Sequence, residues 1–402
     1  MKCKKSSIII ISICLLPIFV LLSGCNANVI SSLDGNAAGS LEPADIQIRT
    51  IAHSSGHSMF IDNDNNLFAW GSNRRGRLGD GTTIDRNYLV HIMEDVASVS
   101  SIDSHTMAIQ TDGSLWVWGY NDFGQIGDGS RRDRHSPVHI MDNVIDAVAG
   151  SFGSFAIQAD GSLWGWGLNN FGQVGNGTTR NQRRPVHIMD NVVSVSIFGH
   201  TTMAIQSDGS LWAWGIIELT QFNDDFSTGQ LYPIHIMDNV AYVSAGVGHM
   251  AFIKTDNSLW TWGWNLFGQL GDGTLEERFY PIHVMDDVVS VVSGGRNTWA
   301  ITTDGSLWAW GSNENGRLGY STAEEKVLSP IHIMDDVVAV ADGIGSTLAL
   351  QSDGSLWVWG RLLYPLFEED EYREFRRTSG GSRIREITVL EPMKIAENVM
   401  LP

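Results

Sequence analysis

The pattern Leu-Trp-x-Trp-Gly occurs at Leu115 to Gly119, Leu163 to Gly167, Leu211 to Gly215, Leu259 to Gly263, Leu307 to Gly311 and Leu356 to Gly360. A variant stands at Leu67-Phe68-Ala69-Trp70-Gly71. The seven copies are 48, 48, 48, 48, 48 and 49 residues apart and hold 13 of the 15 tryptophans. A fixed period of this length means one small structural unit repeated in tandem, so the fold must be one that repetition can build.

One unit reads as four short strands. Val96 to Ser101 and His105 to Thr111 alternate apolar with small or polar residues. Asp112-Gly113-Ser114 is a tight turn in which Gly supplies the positive φ, and it leads into Leu115 to Trp118 as a hairpin. A loop from Asn121 to Ser136, rich in Gly, Asp and Arg, precedes a fourth strand, Pro137 to Met141. Trp116 and Trp118 project from one side of the third strand, Leu115 and Val117 from the other. Both faces are therefore apolar, and the sheet must be sandwiched between neighbours. Radial stacking around an axis sandwiches every sheet and leaves only short edges. The expected fold is all-β: a seven-bladed β-propeller of four-stranded antiparallel blades, ending in a strand at Pro392 to Ile395. Asn398 to Pro402 is a further strand-like segment placed to close the ring against the first blade.

The chain is long and apolar enough to bury a large core: 402 residues, 43% hydrophobic and 18% charged. Its only cysteines are Cys3, Cys14 and Cys25, so the repeats hold no disulfide and no Cys-ligated metal. Lys2, Lys4 and Lys5 precede an apolar run from Ile8 to Leu22, as in an export signal. Leu22-Ser23-Gly24-Cys25 resembles the bacterial lipobox, which implies cleavage before Cys25 and lipid attachment to its thiol. Cleavage removes three lysines and no acids, which leaves 23 Lys and Arg against 45 Asp and Glu, a charge of −22. The expected organisation is a signal peptide over 1–24, a lipidated Cys25 with a flexible tether to residue 45, and the propeller over 46–402. The protein is then lipid-anchored in the cell envelope, facing outward, and expected to be a monomer.

The unit resembles the regulator of chromosome condensation repeat, a family of seven-bladed propellers. The likeness rests on Gly124-Gln125-Ile126-Gly127-Asp128-Gly129, Gly172-Gln173-Val174-Gly175-Asn176-Gly177 and Gly268-Gln269-Leu270-Gly271-Asp272-Gly273. Weaker copies are Gly76-Arg77-Leu78-Gly79 and Gly316-Arg317-Leu318-Gly319. The loop motif is missing from the fourth unit (Ile216 to Tyr232) and from the seventh, where Arg361 to Glu391 carries an insertion. The second-strand His survives only at His57, His105 and His249. Members of this family include a nuclear exchange factor for a small GTPase, chromatin binders, a plant ultraviolet photoreceptor and a secreted β-lactamase-inhibiting propeller. An exported protein would meet neither nuclear GTPase nor chromatin, and the Gly-Trp-Arg-His-Thr run of the photoreceptor does not occur here.

What recurs in every blade is expected to serve the blade. His91, His139, His187, His235, His283 and His332 recur once per unit, too far apart to share a metal. Asp112, Asp160, Asp208, Asp304 and Asp353 open hairpin turns. Asp62 to Asn66 lacks the Gly and Glu of a calcium loop. The tryptophan stripe is core, and only Trp264 and Trp299, outside the repeat positions, are candidates for exposure. No catalytic residue, metal or cofactor is expected.

Function is therefore sought where the repeat is broken. The loops Ser72 to Tyr88, Tyr120 to Ser136 and Leu168 to Arg184 hold ten Arg against five Asp. The next three, Ile216 to Tyr232, Trp264 to Tyr280 and Ser312 to Ser329, hold nine acids against three bases. A face split in this way steers and orients a partner. The candidate contact residues are Arg74, Arg75, Arg77, Arg131, Arg132, Arg134, Arg183 and Arg184, with the partner an extracytoplasmic protein and the role a non-catalytic scaffold or inhibitor. The seventh loop, with Glu368 to Glu371 beside Arg373, Arg376 and Arg377, would extend the rim. The alternative is a carbohydrate- or cell-wall-acting propeller, which requires paired carboxylates and aromatic platforms. Nucleic acid is repelled by a charge of −22.

Overall fold

The computed structural model describes residues 48–54, 56–102, 105–217, 229–321, 324–343, 345–362 and 387–394. Within them the chain forms seven four-stranded antiparallel sheets, each a meander of four consecutive strands. Blade two comprises Val96–Ile102, His105–Gln110, Leu115–Gly119 and Arg134–Met141. The fourth strand thus starts three residues before the expected Pro137, because Arg134 pairs with Gly119 across a register shift. Blade one runs from Ile48 to Met93, and blade seven from Val337 to Lys394. Cys25, the tether, the Glu368 to Arg377 rim and the Asn398 to Pro402 segment all lie outside the described residues. Among the described residues no helix is long and apolar enough to cross a membrane.

The units close into a ring. Ile51, Phe60 and Trp70 of blade one share a core with Ala339, Leu348 and Val358 of blade seven. His53 Nε2 lies 2.9 Å from Ser346 Oγ across the same junction. Every other neighbouring pair also shares an apolar cluster, which is what two-faced apolar strands require.

The two tryptophans of the third strand in blades two to seven do different work. The inner one (Trp118, Trp166, Trp214, Trp310, Trp359) is fully buried and donates Nε1–H to a carbonyl in the preceding blade's loop, at 2.8 to 3.0 Å. The outer one is half-buried. Trp116 donates instead to Ser114 Oγ at 3.1 Å and stands edge-on to His139, whose Nε2 is 2.8 Å from Asp142. Trp164, Trp212, Trp260 and Trp308 repeat that contact with His187, His235, His283 and His332, so these histidines are structural partners of the outer indoles. Trp299, a candidate for exposure from the sequence, is fully buried in the core of blade six, opposite Val292 and Ala309; Trp264 is exposed.

The loop between third and fourth strands is a clasp on the next blade. Asn121, fully buried, holds the loop of blade two: its Oδ1 accepts from Ile126 N at 3.0 Å, and its Nδ2 donates to Arg132 O at 3.0 Å. Gln125 O then accepts from both Trp166 Nε1 (2.8 Å) and Ser154 Oγ (2.8 Å) of blade three. Gly129 N donates to Arg183 O at 2.8 Å. Gly127 lies flat on the Trp166 ring at φ +87°, so close that a Cβ would come within 2.8 Å of Nε1.

Blade four departs from this plan. Ile217 stands where the loop-organising Asn should be, and Met250 of blade five replaces the hydroxyl that would bond the clasp carbonyl. Among the described residues Trp262 Nε1 has no acceptor. Trp214→Phe removes a buried hydrogen bond and leaves Gln173 O with one donor fewer, whereas Trp262→Phe removes an unpaired donor. Trp214→Phe is therefore expected to cost about 1–2 kcal/mol more in urea unfolding than Trp262→Phe; equal losses would refute that account.

Candidate interaction face

A meander places the connections between first and second strands, and between third and fourth, on one face of the ring. The hairpin turns and the links between blades lie on the other, together with both described ends, Ile48 and Lys394. The clasps therefore share one surface, here termed the loop face, and that surface is clear of the described ends.

The eight candidate arginines do not behave alike there. Arg77 is only 9% exposed, with Nη2 donating to Ser72 Oγ at 3.2 Å, so it belongs to the clasp and not to the surface. Arg134 is tied back to Asp128, six residues earlier, with Nε 2.7 Å from Oδ2. Burial alone would raise the Asp128 carboxyl, but hydrogen bonds from Ser130 and Arg134 hold it below its ordinary value. Arg75 is exposed and spans two blades, 3.0 Å from Asp133 and 5.0 Å above the Tyr120 ring. Arg131 is exposed and donates Nε–H to Asp122 O. Arg74, Arg132, Arg183 and Arg184 are exposed, and among the described residues none of these four or Arg131 is in an ion pair.

Clasping brings these groups together. Gly124 of blade two packs on the Arg183 backbone and Gly129 on the Arg184 guanidinium, so the strand carrying both arginines lies against the loop carrying Arg131 and Arg132. Arg75 joins Arg74 to the same belt through Asp133. Beside it runs an aromatic arc: Tyr120, Phe123 and Phe152, with Phe123 and Phe152 5.2 Å apart, then Phe171 against His200 at 4.6 Å. Phe267 continues the arc under Arg296, whose guanidinium is 4.5 Å from the ring centre. Phe123, Phe171 and Phe267 each precede a Gly-Gln pair in the sequence, whereas Phe152 lies between the first and second strands of blade three and carries no such signal.

Carboxylate chemistry is not assembled on this face. The described inner strands bury Asp146 in blade three and cover the side chain of Asp342 in blade seven, which is 8% exposed. Asp342 is engaged by Arg317 Nη2 at 3.0 Å, and the two acids stand at opposite ends of strands in well-separated blades. No group of three or more His, Cys, Asp or Glu able to hold a metal occurs among the described residues. Asp62 Oδ1 is occupied by Asp64 N and Asn66 N, as a turn residue and not an ion ligand.

The larger electrostatic asymmetry lies between the faces. The turns and interblade links of the opposite face carry 16 Asp or Glu and no Lys or Arg. Each Asp serves its turn locally, as Asp112 Oδ1 does in accepting from Ser114 N at 2.9 Å. Stacked side by side by the ring they make one acidic surface, and the arginine belt lies on the other face.

Comparison with known proteins agrees with the geometry. Models of the regulator of chromosome condensation (RCC1) repeat match residues 288–317 and 304–350. The structure of human WBSCR16 is similar at 20% identity and a TM-score of 0.65, covering 74% of this chain and 85% of that one. The structure of Kap60 bound to yeast RCC1 (Prp20) matches at 19% identity and a TM-score of 0.68, over 92% and 90%. Prp20p from Saccharomyces cerevisiae, characterised for binding Gsp1p and histones, matches at 20% identity and a TM-score of 0.67, over 88% of each chain. These likenesses carry the fold. No curated protein sequence matches the chain. The RCC1-like domain model matches residues 20–285, well over half of the 402, and the chain belongs to that family.

Proposed function

We propose that this chain is a lipid-anchored, non-catalytic protein-binding propeller of the cell envelope, which captures an extracytoplasmic protein through its loop face. One observation carries the reading. Arginines that recur with a partner acid are tied into clasps, whereas Arg74, Arg131, Arg132, Arg183 and Arg184 break the repeat, are exposed, and share one belt without an ion pair among the described residues. Unpaired guanidinium groups beside half-buried aromatic rings are the residue types that anchor protein interfaces. Yeast RCC1 (Prp20), of the same fold, has been solved bound to Kap60. Cys25 supplies the anchor, and Ile48, the first described residue after it, lies on the face away from the belt.

The test is capture of envelope proteins by the mature chain at low salt. Replacing Arg132, Arg183 and Arg184 by Glu is expected to reduce recovery of a captured protein at least tenfold. Asp142→Lys with Asp190→Lys, on the opposite face, should leave it unchanged. Equal recovery by both variants would sink the proposal. Exposed Trp264 favours one rival, a carbohydrate-binding surface. Binding of cell-wall fragments that is lost in Trp264→Ala and kept in the arginine variant would establish that rival instead.

A further inference from the structure

We infer that what the loop face takes is an extended acidic segment of the partner protein, with carboxylates at alternate positions and bulky apolar side chains between them. This rests on the reading of the belt given above and names what the belt binds. The surface of blades one to three is built as two tracks. First strands of successive blades touch around the axis: Ser100 Oγ accepts from Ala149 N at 3.0 Å, Ser196 Oγ from Ala245 N at 3.0 Å, and Ser244 Oγ from Ser293 N at 2.9 Å. Strand order then puts every fourth strand at the periphery.

Arg183 and Arg184 stand on a fourth strand, and Arg131 and Arg132 close the loop that leads into another, so the cationic track is the outer one. Phe152 lies between the first and second strands of blade three, and Tyr120 and Phe123 follow the third strand of blade two, so the aromatic track is nearer the axis. The two are fixed side by side. Arg131 Nε is 2.5 Å from the carbonyl of Asp122, the residue before Phe123. A Cβ on Gly124, the residue after it, would come within 2.8 Å of Arg183 Cα.

What the rings offer decides the occupant. Tyr120 and Phe123 meet at an interplanar angle of 83°, Phe123 and Phe152 at 65°, and Tyr120 and Phe152 at 67°. Arg75 covers the Tyr120 ring at 5.0 Å. With faces engaged by one another and by a guanidinium, the cluster offers ring edges. Bases stack on open faces, whereas aliphatic and aromatic side chains pack against edges. The outer track takes carboxylates, which accept two hydrogen bonds from one guanidinium. Successive side chains of an extended chain point to opposite sides, so a segment laid between the tracks meets both only if acidic and apolar residues alternate. Exposed Glu276, Glu277 and Glu314 repel it from blades five and six and confine it to blades one to three.

The probe is a fluorescent peptide, Glu-Phe-Glu-Leu-Glu-Phe-Glu-Leu, titrated into the full chain at low salt and read by anisotropy. Binding is expected, and replacing Arg132, Arg183 and Arg184 by Glu should weaken it at least tenfold. A peptide of the same composition with all its glutamates in one block should bind at least tenfold more weakly, as should one with Ser in place of Phe and Leu. Equal binding of the alternating and block peptides would overturn the two-track arrangement. Tighter binding of a single-stranded oligonucleotide of equal charge would overturn it in favour of nucleic acid. No binding by any peptide, with envelope capture still dependent on the three arginines, would remove the alternating segment and keep the protein-binding face; capture indifferent to those arginines would remove both.

Discussion

Acidification from pH 7 toward pH 4 is expected to unfold the ring, with the denaturant midpoint falling steadily through that range. Four histidines are buried at blade junctions on the loop side. His57 Nε2 is 2.5 Å from Ser101 Oγ, His105 Nε2 2.8 Å from Ser154 Oγ, His249 Nε2 3.0 Å from Thr298 Oγ1, and His53 Nε2 2.9 Å from Ser346 Oγ. Ser154 donates its own proton to Gln125 O, so His105 must donate from Nε2 and keep Nδ1 bare. Burial lowers His53 and His249 to about 4 and His105 to about 3. His57 falls well below its ordinary value through burial and the nearby Arg77 charge. Below about pH 6.5 the unfolded chain binds a proton at each position that the folded chain refuses, so stability falls by roughly 1.4 kcal/mol per pH unit per histidine.

Two buried groups oppose this trend, Asp146 and Asp342, and burial raises the Asp342 carboxyl above its ordinary value despite the Arg317 charge beside it. Burial raises Asp146 to about 7, so between its unfolded value and 7 it is the folded state that holds the extra proton, and stability rises as pH falls. With four groups against two, the net change between pH 6.5 and 4.5 is still a loss, on the order of a few kcal/mol. His105→Gln should flatten the slope by about one proton, and Asp146→Asn should steepen it. A midpoint that stays level from pH 7 to 5 would contradict the assignment.

The second large effect is expected at the Trp166 clasp, approached from either side. Trp166→Ala empties a fully buried site, removes a donor from Gln125 O, and should cost about 3–5 kcal/mol. Gly127→Ala places a methyl 2.8 Å from Trp166 Nε1 on a backbone at φ +87°, and should cost about 2–4 kcal/mol through clash and strain together. Trp166→Ala makes room for that methyl, so the double variant should fall short of the sum by 1 kcal/mol or more in urea unfolding. Strict additivity would mean that the loop does not rest on the indole.

Much of this was legible in the chain. A 48-residue period with an apolar-on-both-faces strand leaves few folds, and strand order, the Asp-Gly-Ser turns and the sevenfold count followed from local pattern alone. The two units without the loop motif were also visible, as was the arginine excess of the first three loops. The roles of individual side chains were not. Arg77 and Arg134 look like Arg131 and Arg132 in sequence. Only the folded clasp shows that the first is buried and the second is held by Asp128, while the others reach solvent.

The same holds for charge and for the departures of blade four. Each turn aspartate is explained by its own backbone, and their union into one acidic face exists only because the ring sets seven turns side by side. The exchange of Thr for Met at position 250 lies more than thirty residues from Ile217, and nothing along the chain links them. They meet because a loop in this fold is completed by the blade after it. Local pattern thus determined the unit and its number, since hydrogen bonding and alternation act over a few residues. Which surfaces remained unpaired was decided by contacts between units, whose partners are set by distance in space.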